Sequence, residues 1–273
     1  MKKIESRPRQ STPAQVPFLW AAVFSLCAAL LVSPGVANAQ SSPQNAQVTS
    51  ALPGLMMPDM DNHQWFAHVL FDQLEDRTNG MDHKFRWDGE GWIGTDMNKL
   101  WIKSEGAVSN GSMSDGDQEF LYDRPIPHMR YFDAQVGVRE DLDSGPSRTW
   151  AAVGIEGLAP YFFEFAPTLY IGKGGDVAGR INASYQLLFT QRLIAEPEVE
   201  MNFYSQNDPA RNIGSGLSEI DTGIRLRYEF SRKFAPYVGF AYNGAYGDTA
   251  TYAQQHGEST SNPNFVFGIR AWY

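Results

Sequence analysis

Apolar and polar side chains alternate along most of this chain, and residues 264–273 show the pattern clearly. Alternate positions of this segment carry five apolar side chains, Phe265, Phe267, Ile269, Ala271 and Tyr273. The intervening positions include Asn264 and Arg270, so one face of the predicted strand is apolar and the other is partly polar. A sandwich strand and a strand of a membrane-spanning barrel share this alternation, which by itself leaves both open.

The same period of two recurs from Trp65 to the C-terminus and predicts an all-β domain. Twelve strands are predicted, at residues 65–75, 84–93, 99–108, 117–124, 130–141, 148–158, 161–171, 178–192, 196–205, 217–230, 234–246 and 264–273. Two places fit the pattern less well. The polar face of the first strand changes sides after Asp72, which indicates a β-bulge, and Pro167 removes a ladder donor from the seventh strand.

The connections between these strands differ in length according to their order along the chain. The odd-numbered connections are the longer and more polar ones, at 77–83, 109–116, 142–147, 172–177, 206–216 and 247–263. Most even-numbered connections are short, as at 94–98, 125–129, 159–160 and 231–233. Long loops at one end and tight turns at the other are typical of outer-membrane barrels. The pattern therefore predicts a transmembrane antiparallel β-barrel of about 12 strands, with both termini on the periplasmic side.

The N-terminal region is predicted to be processed on export. Residues 1–39 combine a basic start, an apolar run from Val16 to Val36 and the motif Ala37-Asn38-Ala39, and are predicted to be a secretory signal peptide. Residues 40–63, rich in Ser, Gln, Asn and Pro, are predicted to be a flexible leader ahead of a barrel at 64–273. The only cysteine, Cys27, lies in the signal peptide, so the mature chain has neither a disulfide nor a thiolate ligand.

Charge narrows the range of partners. Without residues 1–39 the chain has 18 basic and 30 acidic residues, a formal charge of −12. This balance argues against nucleic acid and favours cations. No stretch of the mature chain approaches the roughly 18 consecutive apolar residues of a spanning helix, so a membrane location requires a closed barrel in contact with lipid.

Several segments resemble the copper resistance protein B family of bacterial outer membranes. They are 71–75 (FDQLE), 91–94 (GWIG), 99–106 (KLWIKSEG), 190–193 (TQRL), 225–230 (RLRYEF) and 234–239 (FAPYVG). The resemblance covers about 60–273. It implies an outer-membrane protein that binds copper and contributes to copper resistance and homeostasis beside periplasmic copper proteins. We expect this function to involve no catalysis. Family members often carry a longer leader with repeated methionines and histidines, whereas here that leader is reduced to the segment 56–63.

Copper chemistry can be compared with the residues directly, because thioether sulfur suits Cu(I) whereas imidazole and carboxylate suit Cu(II). The mature chain has eight methionines and five histidines. The predicted topology places eight candidate ligands at the periplasmic mouth: Met56, Met57, Met60 and His63 in the leader, His68 near the start of the first strand, and Met97, His128 and Met129 in short turns. His68 and Asp72, four residues apart on one strand, are expected to share an inward face. Flexible linker and turn residues, or a buried polar pair at His68 and Asp72, would explain the same positions without a metal.

The predicted inward faces also carry many charged residues, from Arg86 in the second strand to Arg270 in the last. An ion-pair network that fills and rigidifies the interior explains them, and a narrow cation channel or exporter is the alternative, since acidic rings favour cations. A lipid-modifying enzyme is a further alternative. It would need a serine nucleophile beside a histidine, and the inward Ser184 has no histidine near it in the predicted strands.

Overall fold

A computed structural model of the protein describes residues 64–80, 82–109, 111–142 and 147–273. The predicted signal peptide and leader, residues 1–63, lie outside the described residues. Within the described residues, no helix has the length and apolar character needed to cross a membrane.

Almost all of the described chain is β-strand. The strands are β1 (Phe66–Thr78), β2 (His83–Gly94), β3 (Lys99–Ser109), β4 (Ser112–Pro125), β5 (Phe132–Asp141), β6 (Arg148–Ala159), β7 (Phe163–Gly172), β8 (Val177–Tyr185), β9 (Leu187–Leu188), β10 (Leu193–Tyr204), β11 (Gly216–Tyr228), β12 (Phe234–Ala245) and β13 (Ser261–Trp272). A 3₁₀ turn at Pro160–Phe162 and a helix, α1 (Gly247–Gln255), complete the elements of the described chain.

The sheet closes on itself. Each strand pairs with its neighbours in antiparallel fashion, and β1 pairs with both β2 and β13, with Leu70 opposite Trp272 across the seam. The short β9 continues β8 past Gln186, since both pair with β10. The structure is therefore a closed antiparallel barrel of twelve strands, as the sequence pattern predicts. We call the end that carries Gln64 and Tyr273 the terminal end, and the opposite end the loop end.

The outside of the barrel is an apolar surface. Large hydrophobic side chains at alternate positions are exposed on β5, β6, β11, β12 and β13, among them Val136 (52%), Val153 (50%), Ile224 (47%), Phe240 (58%) and Phe265 (54%). The opposite faces of the same strands carry buried charged groups such as Arg139 and Arg225. An apolar exterior around a polar interior is the inside-out arrangement of barrels that span a bilayer, where closure leaves no unpaired strand edge in lipid.

Replacing Phe240 by arginine tests whether this surface meets lipid. Phe240 lies near the middle of β12 and packs against Phe265 of β13, with ring centroids 4.7 Å apart. A charge at mid-membrane should lower the free energy of unfolding from lipid vesicles by about 2–4 kcal/mol. Thr251→Arg on the exposed face of α1 is the control and should change stability little. Equal effects of the two substitutions would contradict a lipid-facing β12.

The structure corrects several predicted boundaries. The predicted long loop at 109–116 shrinks to a connection at 110–111, where Gly111 has φ +78°, and β4 begins at Ser112. The predicted strand 178–192 ends at Leu188, so Arg192 lies exposed in a turn rather than on an inward face. The connection 246–260 contains α1, which the alternation pattern did not indicate.

Both predicted irregularities are present. The register of β1 slips between Phe71 and Gln73, so Asp72 is the extra residue of a bulge on its pairing with β2. Pairing between β6 and β7 is interrupted between Gly154–Thr168 and Gly157–Phe165, next to Pro167, which has no N–H to donate. The bulge has a consequence for the interior, because it brings Gln73, Glu75 and Arg77 inward, where each is at most 3% exposed.

Candidate metal site and barrel interior

Three of the predicted ligands lie on turns at the terminal end. Met97 belongs to the β2–β3 turn, and His128 and Met129 belong to the β4–β5 turn. The two methionines expose 43% and 46% of their surface, and His128 is also exposed. The φ of His128 is +74°, in the left-handed region, and the N–H of Met129 donates to the carbonyl of Ile126 (3.1 Å). The thioether and imidazole groups therefore face solvent instead of filling the core.

His68 lies inside the barrel, close to the same end. It stands opposite Trp92 of β2, Trp92 stands opposite Trp101 of β3, and Trp101 stands opposite the buried Leu121 of β4. Residues directly opposite one another in a sheet share a face, so these side chains all point inward. The imidazole centroid lies 6.2 Å from the ring of Trp92 and 5.6 Å from that of Trp272. Within the described chain, no group hydrogen-bonds either ring nitrogen of His68.

His68 and Asp72 do not form the polar pair that the sequence suggested. Asp72 occupies the bulge, and its carboxylate accepts a hydrogen bond from Arg270 Nε of β13. A carboxylate that is engaged with a guanidinium must give up that contact before it can bind a metal. His68 therefore has two indole rings as its ring neighbours, while Asp72 is engaged across the β1–β13 seam.

Three lysine ammonium groups lie over indole rings at the terminal end. The pairs, with the distance from Nζ to ring centroid, are Lys99–Trp92 (5.7 Å), Lys103–Trp101 (5.4 Å) and Lys233–Trp272 (5.5 Å). These distances fall within the roughly 6 Å range of cation–π attraction. The indole rings of this end are thus already in contact with lysine ammonium groups.

The predicted ligands do not form a single preformed metal site in the described structure. Across the described ranges, no group of three or more His, Asp or Glu side chains is arranged to hold a metal ion. Met97, His128 and Met129 are brought to the same end as His68, on turns separated by β3 and β4. Met56, Met57, Met60 and His63 lie outside the described residues.

The middle of the barrel is filled by a network of ion pairs centred on Glu75, which is fully buried. Its carboxylate accepts hydrogen bonds from Arg77 Nε (2.7 Å), from Arg225 Nε and Nη2 (2.9 and 3.0 Å) and from the hydroxyl of Tyr237 (2.9 Å). Arg225 also donates to Glu198 (2.6 Å), which belongs to β10. Four donors on one carboxylate compensate for the loss of its hydration.

Other ion pairs cross the lumen between distant walls. Arg86 of β2 donates to Glu200 of β10 (3.2 Å), and Arg180 of β8 donates to Asp117 of β4 (2.7 Å). The Arg180 guanidinium also lies 3.4 Å from Glu105 of β3. In a barrel of twelve strands these links span nearly the full width, so long charged side chains occupy the lumen at this level. The predicted ion-pair network is therefore present.

A cavity of about 280 Å³ lies toward the terminal end of the barrel, lined by Trp101, Asp123, Arg130, Tyr131, Asp133, Glu156, Gly157 and Leu158. Its carboxylates are paired, Asp133 with Lys99 (2.8 Å) and Glu156 with Lys103 (2.5 Å). The cavity thus adjoins both the β4–β5 turn and the lysines that lie over the indole rings.

Sequence reasoning missed the aromatic surroundings of His68. Trp92 and Trp101 are at positions where they alternate with Ile93, Leu100 and Ile102, so the sequence shows an apolar run without indicating which face is inside. The register supplies that information, because both tryptophans lie on the face of the buried Leu121. One feature of the sequence could have indicated these neighbours. Trp92 and Trp101 lie on the two sides of a short turn, where they are expected to stand opposite each other in a hairpin.

The chain is similar in sequence to proteins of one known family. The model of a family described as "Copper resistance protein B precursor (CopB)" matches residues 65–273. Copper resistance protein B of Escherichia coli is 42% identical over 205 residues, which cover 75% of this chain and 69% of that protein. Copper resistance protein B homolog of Pseudomonas syringae pv. tomato is 39% identical over 207 residues, which cover 76% and 70%.

Solved structures with a related shape are more distant. A NanC porin is 13% identical, with a TM-score of 0.48 and coverage of 76% of this chain and 99% of the porin. A KdgM porin is 12% identical, with a TM-score of 0.44 and coverage of 75% and 98%. At these values the likeness says nothing about function.

Proposed function

Because this chain belongs to the copper resistance protein B family, we propose that it serves copper resistance by binding copper at the terminal end of the barrel. The ligands are the exposed Met97, His128 and Met129 together with the leader residues Met56, Met57, Met60 and His63. The terminal end faces the periplasm of an outer-membrane barrel, and the bound ion is cargo that the protein sequesters or passes on. No catalytic step is involved.

The observation that carries this proposal is the exposure of soft ligands on two turns at one end. A methionine that only fills space is normally buried in a core, whereas Met97 and Met129 each expose more than two fifths of their surface. Thioether sulfur favours Cu(I) and imidazole also binds copper, so methionine together with histidine is a suitable copper donor set in a mature chain without cysteine.

Chain connectivity supports a contribution from the leader. His63 and Met60 precede Gln64 by one and four residues, so an extended chain keeps them within about 4 and 14 Å of the position where the barrel begins. Gln64 and the β2–β3 and β4–β5 turns all lie at the terminal end. The leader can therefore add ligands to those of the turns.

The test is Cu(I) stoichiometry and affinity on the refolded protein, by competition with a chromophoric chelator under reducing conditions. Replacing Met97, His128 and Met129 by alanine, together with the four leader residues, should remove most Cu(I) binding. Replacing only the three turn residues, or only the four leader residues, should weaken Cu(I) affinity roughly tenfold or more, which is the scale on which metal sites respond to loss of ligand support.

The matched control replaces His83, Met113 and His256, which are the same residue types at or near the loop end. This variant should bind Cu(I) as the parent does. Unchanged stoichiometry in the seven-residue variant would refute the terminal-end site. Loss of binding in the control alone would move the site to the loop end.

A further inference from the structure

Three exposed basic residues lie on two neighbouring turns of the terminal end. Arg192 belongs to the turn between β9 and β10, and Arg232 and Lys233 belong to the turn between β11 and β12. The backbone joins the two turns, because the N–H of Glu229 donates to the carbonyl of Arg192 (2.8 Å). We call Arg192, Arg232 and Lys233 the basic rim.

The basic rim has no acidic partner. Within the described chain, no carboxylate pairs with any of its three side chains. Lys233 packs instead on Tyr273, with its ammonium 4.2 Å from the ring centroid. The neighbouring Glu229 continues the inward positions of Arg225 and Arg227 and is half-buried. The rim is therefore a local excess of positive charge in a chain whose formal net charge is −9.

Large exposed apolar side chains flank the basic rim. They are Leu188, Phe189, Tyr228, Phe230, Phe234 and Tyr273. On β11 the exposed row runs from Ile224 through Leu226 to Tyr228, whose ring lies edge-on to that of Phe230 at 5.0 Å. The apolar exterior of the barrel thus continues up to the rim. Since aromatic girdles of outer-membrane barrels lie at the level of the lipid headgroups, the rim lies at that level too.

We propose that the basic rim binds the phosphate of an anionic phospholipid, while the flanking aromatic side chains contact the lipid below its headgroup. A guanidinium can bond two phosphate oxygens at once, and the lysine ammonium adds a point charge. A rim without carboxylates favours lipids of net negative charge over zwitterionic ones. The inference goes beyond the proposed function, since it requires a lipid-facing barrel and no metal.

A second strand repeats the arrangement and favours a lipid over an acidic protein. The outward face of β4 carries Phe120, Tyr122 and Arg124 in succession, and all three are exposed. A basic head beyond an aromatic ring on a lipid-facing strand suits a side chain that reaches from the hydrocarbon to the headgroups. Lipid surrounds the whole barrel, so it can meet both β4 and the rim, whereas a docked protein would need only one patch.

Native mass spectrometry of the purified protein in detergent tests the proposal. It counts bound lipids during titration with phosphatidylglycerol or with phosphatidylcholine of the same acyl chains. The parent should bind phosphatidylglycerol more tightly. Replacing Arg192, Arg232 and Lys233 together by glutamine should weaken phosphatidylglycerol binding about tenfold to a hundredfold, because each basic group near an anionic lipid contributes about fivefold. Phosphatidylcholine binding should change little.

The matched control removes the same number of charges elsewhere. Lys84 and Lys173 lie near the loop end, and Arg130 lines the lumen cavity. Their triple replacement by glutamine should leave the preference for phosphatidylglycerol as in the parent.

Two further variants separate charge from fold and from apolar contact. Arg192→Lys with Arg232→Lys keeps the charge and should keep most of the preference. Phe189→Ala with Phe230→Ala should weaken both lipids alike, because it removes apolar contact and no charge. The barrel fold of each variant is checked by its heat-modified electrophoretic mobility.

Three results would overturn the proposal. The first is equal phosphatidylglycerol affinity in the parent and in the variant that lacks the basic rim. The second is an equal loss in the matched control, which would reflect net charge alone. The third is a parent that does not prefer phosphatidylglycerol but binds polyglutamate through the rim, which would assign the rim to an acidic protein. Since each result concerns lipid or peptide binding, all leave the copper site standing.

Discussion

Replacing Arg225 by alanine is expected to destabilise the barrel by about 3–5 kcal/mol, the cost of breaking a buried ion pair from one side. Arg225 is 5% exposed and bonds Glu75, Gln73 and Glu198 at 2.6–3.0 Å. Without it, the fully buried Glu75 keeps Arg77 and Tyr237, and Glu198 loses its guanidinium. The loss is measured by urea-induced unfolding from lipid vesicles, with tryptophan fluorescence as the signal.

The matched control is Arg148→Ala. Arg148 also pairs with two carboxylates, Asp141 (2.9 Å) and Asp208 (3.2 Å), but its side chain is 22% exposed and that of Asp208 is 36% exposed. Asp141 is buried but keeps its hydrogen bonds from Arg139 and from the indole of Trp150. Water replaces what Asp208 loses, so about 1 kcal/mol or less is expected. Similar losses for Arg148 and Arg225 would mean that burial does not govern the network. Arg225→Lys should be more stable than Arg225→Ala, because lysine keeps the positive charge. It should be less stable than the parent, because lysine cannot make the bidentate contact that Arg225 makes with Glu75.

Replacing Arg86 and Arg180 together by alanine is expected to open the lumen to ions. These two guanidiniums link β2 to β10 and β8 to both β3 and β4, so their side chains fill the width of the barrel. Alanine removes the bulk and leaves Glu105, Asp117 and Glu200 behind, which should favour cations over anions. Planar-bilayer recordings should show steady, cation-selective conductance in the variant and much less in the parent.

Arg148→Ala again serves as the control, because it lies at the loop-end start of β6 and should not change conductance. An unchanged, low conductance in the double variant would mean that other side chains close the lumen. A parent protein that already conducts steadily would instead favour a cation channel, the alternative that the acidic sequence leaves open.

The sequence predicted the strands of the barrel better than the side-chain contacts inside it. The alternation over 217–230 placed Ile224 outside and Arg225 inside, and the structure confirms both, with 47% and 5% exposure. The same reasoning failed at Arg192, where the pattern continued into a turn, and it gave no sign of the short helix at 247–255 inside a predicted connection. The candidate site was predicted in part. The end at which Met97, His128 and Met129 lie followed from strand order, whereas the indole neighbours of His68 did not.

By itself, the sequence determined most of the strands, and their inward and outward faces wherever polar and apolar residues alternate, because the two-residue period of a strand is a property of local covalent geometry. Its longer runs also indicated the family. It also indicated the bulge at Asp72, where the faces exchange. Only the tertiary structure decided which inward groups meet. Glu75 and Arg225 are 150 residues apart, and His68 reaches Trp272 only because β1 closes on β13. Such contacts depend on strand register, barrel width and side-chain length together, and no local pattern in the chain records all three.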